Sequence, residues 1–214
     1  MTNHLLIALL LCLQPGLALA QSSFTALASG QSGESYAGVK VAKKGEELSS
    51  YLFRIDAKSL KARPLKLPKD LKNREIVAIL PSERQLYIVT QWTLEQGDNA
   101  LVDVYDLEKK SWNKVDTANC NSFDRLAVQD NKLVFHCSKI GTGDTEHWED
   151  VALPLGTNKI TARPEIKLPQ NSATHDGTRL TLSGAPNAPE QLKILSGKKR
   201  FTLRAGDLVK NSRK

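Results

Sequence analysis

The sequence predicts an all-β protein built from about four antiparallel meanders, each with four strands and about 47 residues. Short runs that alternate Val, Ile, Leu, Tyr or Phe with polar residues follow one another along the chain, and no segment keeps a helical period for three turns. Turn residues separate the runs, and similar runs recur at a constant spacing, which indicates structural repeats. A β-sandwich built from the same strands is the alternative fold.

Three hairpins set the spacing of the repeats. They cover residues 76–89, 126–135 and 173–182. Each turns at Asp, Asn, Gly or Ser, the residues that tight turns favour. Their second strands open at Leu86, Leu133 and Leu180, which are 47 residues apart, and one further step back reaches 39–41. The period therefore covers the whole predicted domain.

A second set of strand-like runs lies between these hairpins, at residues 51–56, 101–106, 148–153 and 191–195. Each is followed by a turn and a return strand, and two of the return strands carry the phrase Ala-Arg-Pro, at 62–64 and 162–164. Because proline donates no hydrogen bond to a strand ladder, we expect these strands at the outer edge of their units. The predicted units are 36–68, 75–116, 122–169 and 173–204, and the first lacks a clear innermost strand.

These units resemble the blades of a β-propeller. The segment 104–115 is similar to the hairpin of the third and fourth strands in a kelch-type repeat, and 173–180 resembles the first hairpin of the Tol-type periplasmic propellers. The second strands lack the Gly-Gly pair of kelch blades. Since blades recur in proteins of unrelated function, the resemblance implies a fold and no activity. Four units are few for a ring, so we expect closure by an N-terminal strand in the last blade or by self-association.

The first twenty residues are typical of a secretory signal, with an apolar run at 5–13 and small residues at 18–20. We expect cleavage after Ala20, a secreted or periplasmic location and no membrane span. Residues 21–35 are rich in Ser, Gly, Gln and Ala, which predicts a disordered leader. The predicted organisation is completed by a single β domain at 36–204 and a basic tail at 205–214.

The net charge of +7 is concentrated near the C-terminus. From Lys193 onward the chain holds eight basic residues against one acidic residue, and the rest of the sequence is balanced. Such a segment is either a solvated, frayed tail or a patch that contacts an anionic surface. We expect no nucleic-acid partner.

Cys120 and Cys137 are the only cysteines left after removal of the signal. An even pair in an oxidising compartment predicts one intrachain disulfide, and two buried free thiols are the alternative.

The most polar cluster in the chain is the loop at 141–150. Its binding candidates are Asp144, Glu146, His147 and Trp148. The oxygen ligands suit a calcium ion, although their spacing matches no calcium loop, and we expect no other metal or cofactor. Trp92 lies at the corresponding joint of the preceding unit and is a further binding candidate. Trp112, in the kelch-like hairpin, is expected to pack between blades.

No nucleophile elbow, zinc-protease helix or phosphate-binding glycine loop occurs in the sequence. The favoured function is therefore a non-catalytic binding or scaffold module that contacts a protein or glycan of the cell envelope through loops on one face. The alternative is a secreted carbohydrate-active or lactone-type hydrolase with a site at the ring axis, for which Glu75 and Asp124 are the acidic candidates. His136 and His175 are interpreted as surface or turn residues.

Overall fold

A computed structural model describes residues 21–30, 34–42, 45–56, 59, 61–82, 84–92, 100–118, 120–140, 146–155, 163–167, 172–175, 178–185 and 188–212. These residues form four antiparallel sheets of four strands each and one helix. The predicted all-β class and the four four-stranded units are confirmed. None of the described helical residues belongs to a helix long and apolar enough to span a membrane.

The sheets follow one another along the chain. Sheet A contains β1 Gln21–Ser29, β2 Glu34–Ala42, β3 Ser49–Asp56 and β4 Ala62–Leu65. Sheet B contains β5 Glu75–Pro81, β6 Gln85–Gln91, β7 Ala100–Asp106 and β8 Ser111–Ala118. Sheet C contains β9 Ser122–Gln129, β10 Lys132–Ile140, β11 Glu146–Pro154 and β12 Arg163–Lys167. Sheet D contains β13 Ser172–His175, β14 Thr178–Ala185, β15 Ala188–Ser196 and β16 Lys199–Arg204, and helix α1 Ala205–Ser212 follows it.

Sheets A, B and D are simple meanders, whereas sheet C has the strand order β11-β10-β9-β12. The expectation that both Ala-Arg-Pro strands are outermost is therefore correct for β4 and wrong for β12, which pairs with β9 at the opposite edge. The pairing of β12 is irregular between Arg163 and Ile166, the interval that contains Pro164. Both strands are still edge strands, as the missing proline N–H requires.

The sheets pack face to face in the order D–A–B–C, like consecutive propeller blades. One apolar cluster joins A to D, a second joins A to B, and a third joins B to C. Among the described residues no such cluster joins C to D, so the row is open. The N-terminal strand does not pair into the last blade as expected, because β1 pairs with β2 inside sheet A.

The expected disordered leader at 21–35 is wrong for residues 21–29, which form β1 and supply the missing innermost strand of the first unit, and for residues 34 and 35, which begin β2. Sheet A lies between sheets D and B, so β1 is buried on both faces: Leu27 packs toward sheet D and Ala28 toward sheet B. A strand buried on both faces shows no alternation of apolar and polar residues. Small Ser and Ala side chains suit this position because β1 contacts both neighbouring sheets.

The expected basic tail at 205–214 is also wrong for residues 205–212, which form α1. Ala205, Leu208 and Val209 are buried in the cluster between sheets A and D. Asp207 in the first turn and Lys210 in the last turn suit the helix dipole. The sequence signal was weak because only three apolar side chains carry the contact.

The predicted hairpins and the predicted disulfide are present. Asp130 and Asn131 both have positive φ, 45° and 60°, as a two-residue turn between β9 and β10 requires. Cys120 and Cys137 form a disulfide with 5.3 Å between their Cα atoms, inside the cluster of sheets B and C. Trp112 packs beside Tyr105, with ring centroids 4.9 Å apart, and its indole N–H donates to the carbonyl of Lys66 at 2.9 Å.

Candidate functional site

The two faces of sheet C differ sharply in what covers them. Leu133, Phe135 and Cys137 of β10 point into the cluster shared with sheet B. The alternate residues of β10, Val134 and His136, are only partly buried and lie on the other face. We call this second face the outer face of sheet C. In the described part of the chain, no apolar cluster covers it with another sheet.

Three polar side chains form a row across the outer face of sheet C. In the strand register, His136 lies opposite Arg125 of β9 on one side and Asp150 of β11 on the other. The Nδ1 of His136 is 2.9 Å from Oδ1 of Asp150. Because a carboxylate only accepts, Nδ1–H is the donor, and a neutral ring then presents Nε2 as an acceptor. Arg125 also contacts Asp124, at 3.5 Å.

Trp148 stacks on this row. Its ring centroid is 5.2 Å from that of His136 and the two planes differ by 21°. The indole is 47% exposed, one of only two large hydrophobic side chains that are exposed among the described residues. Next to it, the buried hydroxyl of Ser138 donates to Glu146, which ties β11 to β10. The exposed aromatic ring is therefore fixed on regular strands rather than on a loop.

Together these side chains surround a shallow concavity of about 330 Å³, which we call the Trp148 cleft. Its lining residues are Arg125, Leu126, Ala127, Gln129, Val134, His136, Trp148, Glu149 and Asp150. The cleft offers an aromatic face on one side and guanidinium, imidazole, amide and carboxylate groups around it. Such a set can bind a small polar molecule that has one apolar surface.

Of the other predicted residues of the 141–150 loop, His147 lies on the opposite face of β11 from Trp148, because successive residues of a strand alternate. There its Nε2 is 3.9 Å from Glu149, and Lys139 contacts the same carboxylate at 2.5 Å. The hydrogen bond from Lys139 lowers the pKa of Glu149. Asp144 lies outside the described residues.

Trp92 is held in a different environment from Trp148. It follows β6 of sheet B, and the guanidinium carbon of Arg74 lies 5.4 Å from the centre of its ring. Arg74 is itself fixed, since its Nε donates to the hydroxyl of Thr90 at 3.0 Å. The two tryptophans predicted as one binding set therefore belong to different sheets and have different partners.

His136 and Asp150 line the Trp148 cleft but are not among the binding candidates that the sequence predicts. The sequence predicts His136 as a surface or turn residue and Asp150 as part of a loop. The alternation of Leu133, Phe135 and Cys137 was the available signal, because it places His136 on the uncovered face. The partner of His136 depends on the register of β10 with β11, which alternation alone does not provide.

The acidic candidates for a hydrolase are each engaged elsewhere. Glu75 forms an ion pair with Lys40 at 2.8 Å, and Asp124 contacts Arg125. A third carboxyl, that of Asp103 on β7, is buried on the side of sheet B that faces sheet A, and burial raises its pKa to about 6. Within the described ranges, no three His, Cys, Asp or Glu residues are grouped in a way that could hold a metal.

The sequence matches no protein-family model and no curated protein. The structure is similar to dipeptidyl peptidase 4 of Porphyromonas gingivalis, with 11% identity, a TM-score of 0.43, and coverage of 83% of this chain and 30% of that one. It is also similar to an acylaminoacyl peptidase of Pyrococcus horikoshii, with 10% identity, a TM-score of 0.45, and coverage of 85% and 32%. For the β-propeller domain of the Trilobed protease from Pyrococcus furiosus, described as having an open velcro topology, the identity is 13%, the TM-score 0.37 and the coverage 86% and 71%. This chain spans about a third of the length of the first two peptidases.

Proposed function

We propose that this chain is a non-catalytic, extracytoplasmic binding module that holds a carbohydrate in the Trp148 cleft. The observation that supports this most is the half-exposed indole of Trp148, stacked on His136 and surrounded by polar groups of adjacent strands. A large exposed aromatic side chain on a fixed strand indicates a binding surface. Its π-face is electron-rich and attracts the slightly positive C–H groups on the face of a sugar ring.

The polar groups beside Trp148 match the hydroxyl groups of a sugar. Asp150 accepts hydrogen bonds, Arg125 donates them, and His136 offers its second ring nitrogen, Nε2. A sugar hydroxyl both donates and accepts, so a ring stacked on Trp148 can satisfy these groups along its edge. The row Arg125–His136–Asp150 is set by strand register, which keeps the cost of ordering the site low on binding.

The size of the cleft favours a short stretch of a glycan. At about 330 Å³ it lies at the low end of the range for small-molecule sites, and it is open rather than enclosed. An open site on a sheet face can accept an internal segment of a polymer. We therefore propose a polysaccharide, rather than a free monosaccharide, as the ligand.

The extracytoplasmic location is part of the proposal. The signal-like residues 1–20 and the Cys120–Cys137 disulfide support it. Since β1 begins at Gln21, cleavage after Ala20 leaves every described strand intact. N-terminal sequencing of the protein recovered from the periplasm or medium should begin at Gln21, and a sequence that begins at Met1 would contradict this location.

The binding function is tested by co-sedimentation with insoluble chitin, cellulose and peptidoglycan. We expect at least one of these polysaccharides to capture the protein. We expect Trp148→Ala to weaken capture by about tenfold or more, because truncating a tryptophan that anchors a binding surface costs about 2 kcal/mol or more. Trp92→Ala is the matched control, since it removes an indole from sheet B and leaves the cleft unchanged.

Two results would contradict the proposal. One is equal loss of capture in both variants, which would assign the effect to tryptophan removal in general. The other is capture that Trp148→Ala does not change, which would place the binding surface elsewhere. Release of soluble sugar from the captured polysaccharide would contradict the non-catalytic part.

A further inference from the structure

We infer that the exposed face of sheet D is a docking surface for an anionic phospholipid bilayer. This sheet lies at the end of the row D–A–B–C that is opposite to sheet C. Successive side chains of its strands alternate between two faces of different chemistry. One face is apolar and packs toward sheet A through Leu180, Leu182, Leu192 and Ile194. The alternate residues of the same strands point away from it, and we call them the basic face of sheet D.

The charge on the basic face of sheet D has a single sign. Arg179, Lys193, Arg200 and Arg204 are all exposed and lie on it. None of these four forms an ion pair with another described residue. The other side chains that share their cross-strand rows are neutral: Ser172, Thr174, Thr181, Ser183, Gln191, Leu195 and Thr202. The face therefore presents four cations with no compensating carboxylate in its rows.

Strand register spreads these cations over a plane. Arg179 lies opposite Leu195, which lies opposite Arg200, so the two arginines are two strands apart, or about 10 Å. Arg204 follows four residues after Arg200 on β16, about 14 Å along the strand. Lys193 lies in the row between them. A planar array of separated charges matches a flat anionic surface.

The exposed side chain of Leu195 favours a bilayer, rather than a linear polyanion, as the partner of this face. It is 38% exposed, the second of the two exposed large hydrophobic residues in the described part of the chain, and it lies between Arg179 and Arg200. At a lipid surface an apolar side chain can enter the interface while the flanking arginines stay at the headgroups. A linear polyanion would instead be expected to follow a stripe of charge, and nucleobases would need aromatic side chains for stacking.

The two surfaces can work together because they lie at opposite ends of the row. Docking through sheet D leaves the Trp148 cleft on sheet C open to solvent. The docking inference stands on its own observations, however, and does not depend on what the cleft binds.

The test is co-sedimentation of the mature chain, residues 21–214, with phosphatidylcholine vesicles, with and without phosphatidylglycerol, at low and at physiological ionic strength. The variant neutralises the face with Lys193→Gln, Arg200→Gln and Arg204→Gln. A matched control removes three exposed lysines on other sheets and loops with Lys69→Gln, Lys109→Gln and Lys132→Gln, which gives the same change in net charge. All proteins begin at Gln21, as the mature chain does after the proposed cleavage, and circular dichroism checks that each is folded.

We expect the unchanged protein to bind vesicles that contain phosphatidylglycerol, with binding weakened by salt. The face variant should lose at least about tenfold in partition coefficient, because each cation near an anionic surface contributes separately. The control should retain most of the binding. Equal binding to neutral and anionic vesicles, equal loss in the control, or retention on heparin beads without vesicle binding would each overturn the inference.

Discussion

Asp103 is an acidic residue buried between two sheets. It lies on β7 with its side chain on the face of sheet B that packs against sheet A, and it is almost fully buried. Among the described residues, its Oδ2 has no hydrogen-bond partner. Burial, with a smaller contribution from Asp70, raises the pKa of Asp103 from 3.8 to about 6, against the opposing effects of Lys114 and Arg74. The ionised form therefore costs stability at neutral pH.

This predicts a specific pH dependence of stability. Between pH 3.8 and about 6 the folded protein binds a proton that the unfolded chain has released, so the contribution of Asp103 to the unfolding free energy falls as pH rises. Asp103→Asn should remove this fall and raise the unfolding free energy at pH 8 by up to about 3 kcal/mol, with little change below pH 4. Urea unfolding across this pH range measures it. Glu108→Gln, at an exposed site, is the control and should leave the pH profile unchanged. If the pH profile of Asp103→Asn ran parallel to that of the unchanged protein, burial of Asp103 would not be the cause.

At the residue scale, the sequence allowed correct predictions where the residue type itself favoured one role. The paired cysteines and the packing role of Trp112 are of this kind. The sequence did not identify the pairing of His136 with Asp150, because that contact is set by strand register and not by spacing along the chain.

At the scale of elements, local sequence signals predicted the hairpins. The positions of the remaining strands and of the helix depend on packing between segments that are distant in sequence. The turn at Asp130 and Asn131 follows from residues adjacent in sequence. The errors occurred at β1, β12 and α1, whose positions depend on contacts with other sheets or, for β12, with another strand of its own sheet. A strand of small residues buried on both faces and a short helix with three buried apolar residues carry little periodic signal.

Close packing of sheet A on sheet B predicts a strong effect at Gly38 of β2. A Cβ atom at Gly38 would lie 2.9 Å from the hydroxyl of Thr25 and 3.1 Å from Cβ of Ile76. Gly38→Val should therefore lower the unfolding free energy by about 1–3 kcal/mol through overpacking. Gly206→Ala is the matched control, because nothing lies within 4 Å of its Cβ position and alanine favours the helix by up to about 1 kcal/mol. Thermal unfolding that ranks Gly38→Val as stable as Gly206→Ala would contradict the packing of β2 against β5.

The disulfide is expected to contribute substantially to the stability of sheet C. It joins cysteines 17 residues apart and lies in the cluster with sheet B. The double replacement Cys120→Ala with Cys137→Ala should lower the unfolding free energy by about 3 kcal/mol, since the unfolded chain then gains loop entropy. Denaturant titration of the oxidised protein and the double variant measures this change. An unchanged midpoint would show that the disulfide does not stabilise the fold.

At the scale of the whole molecule, the row D–A–B–C has two terminal sheet faces of different chemistry that no other described sheet covers. The outer face of sheet C carries the half-exposed Trp148 and the row Arg125–His136–Asp150, whereas the basic face of sheet D carries four cations. Repetition along the sequence predicted the four units. It could not predict which units would be terminal, because the order in space depends on β1 packing between sheets D and B.

The most direct test of the proposed site is hydroxyl-radical footprinting of the three tryptophans, quantified by mass spectrometry with and without the polysaccharide that captures the protein. We predict strong oxidation of Trp148 in the free protein, clear protection of Trp148 on binding, and low oxidation of Trp112 in both states because it packs against Tyr105. A Trp148 that is already protected in the free protein, or that stays equally oxidised when the polysaccharide is bound, would contradict the Trp148 cleft as the binding site.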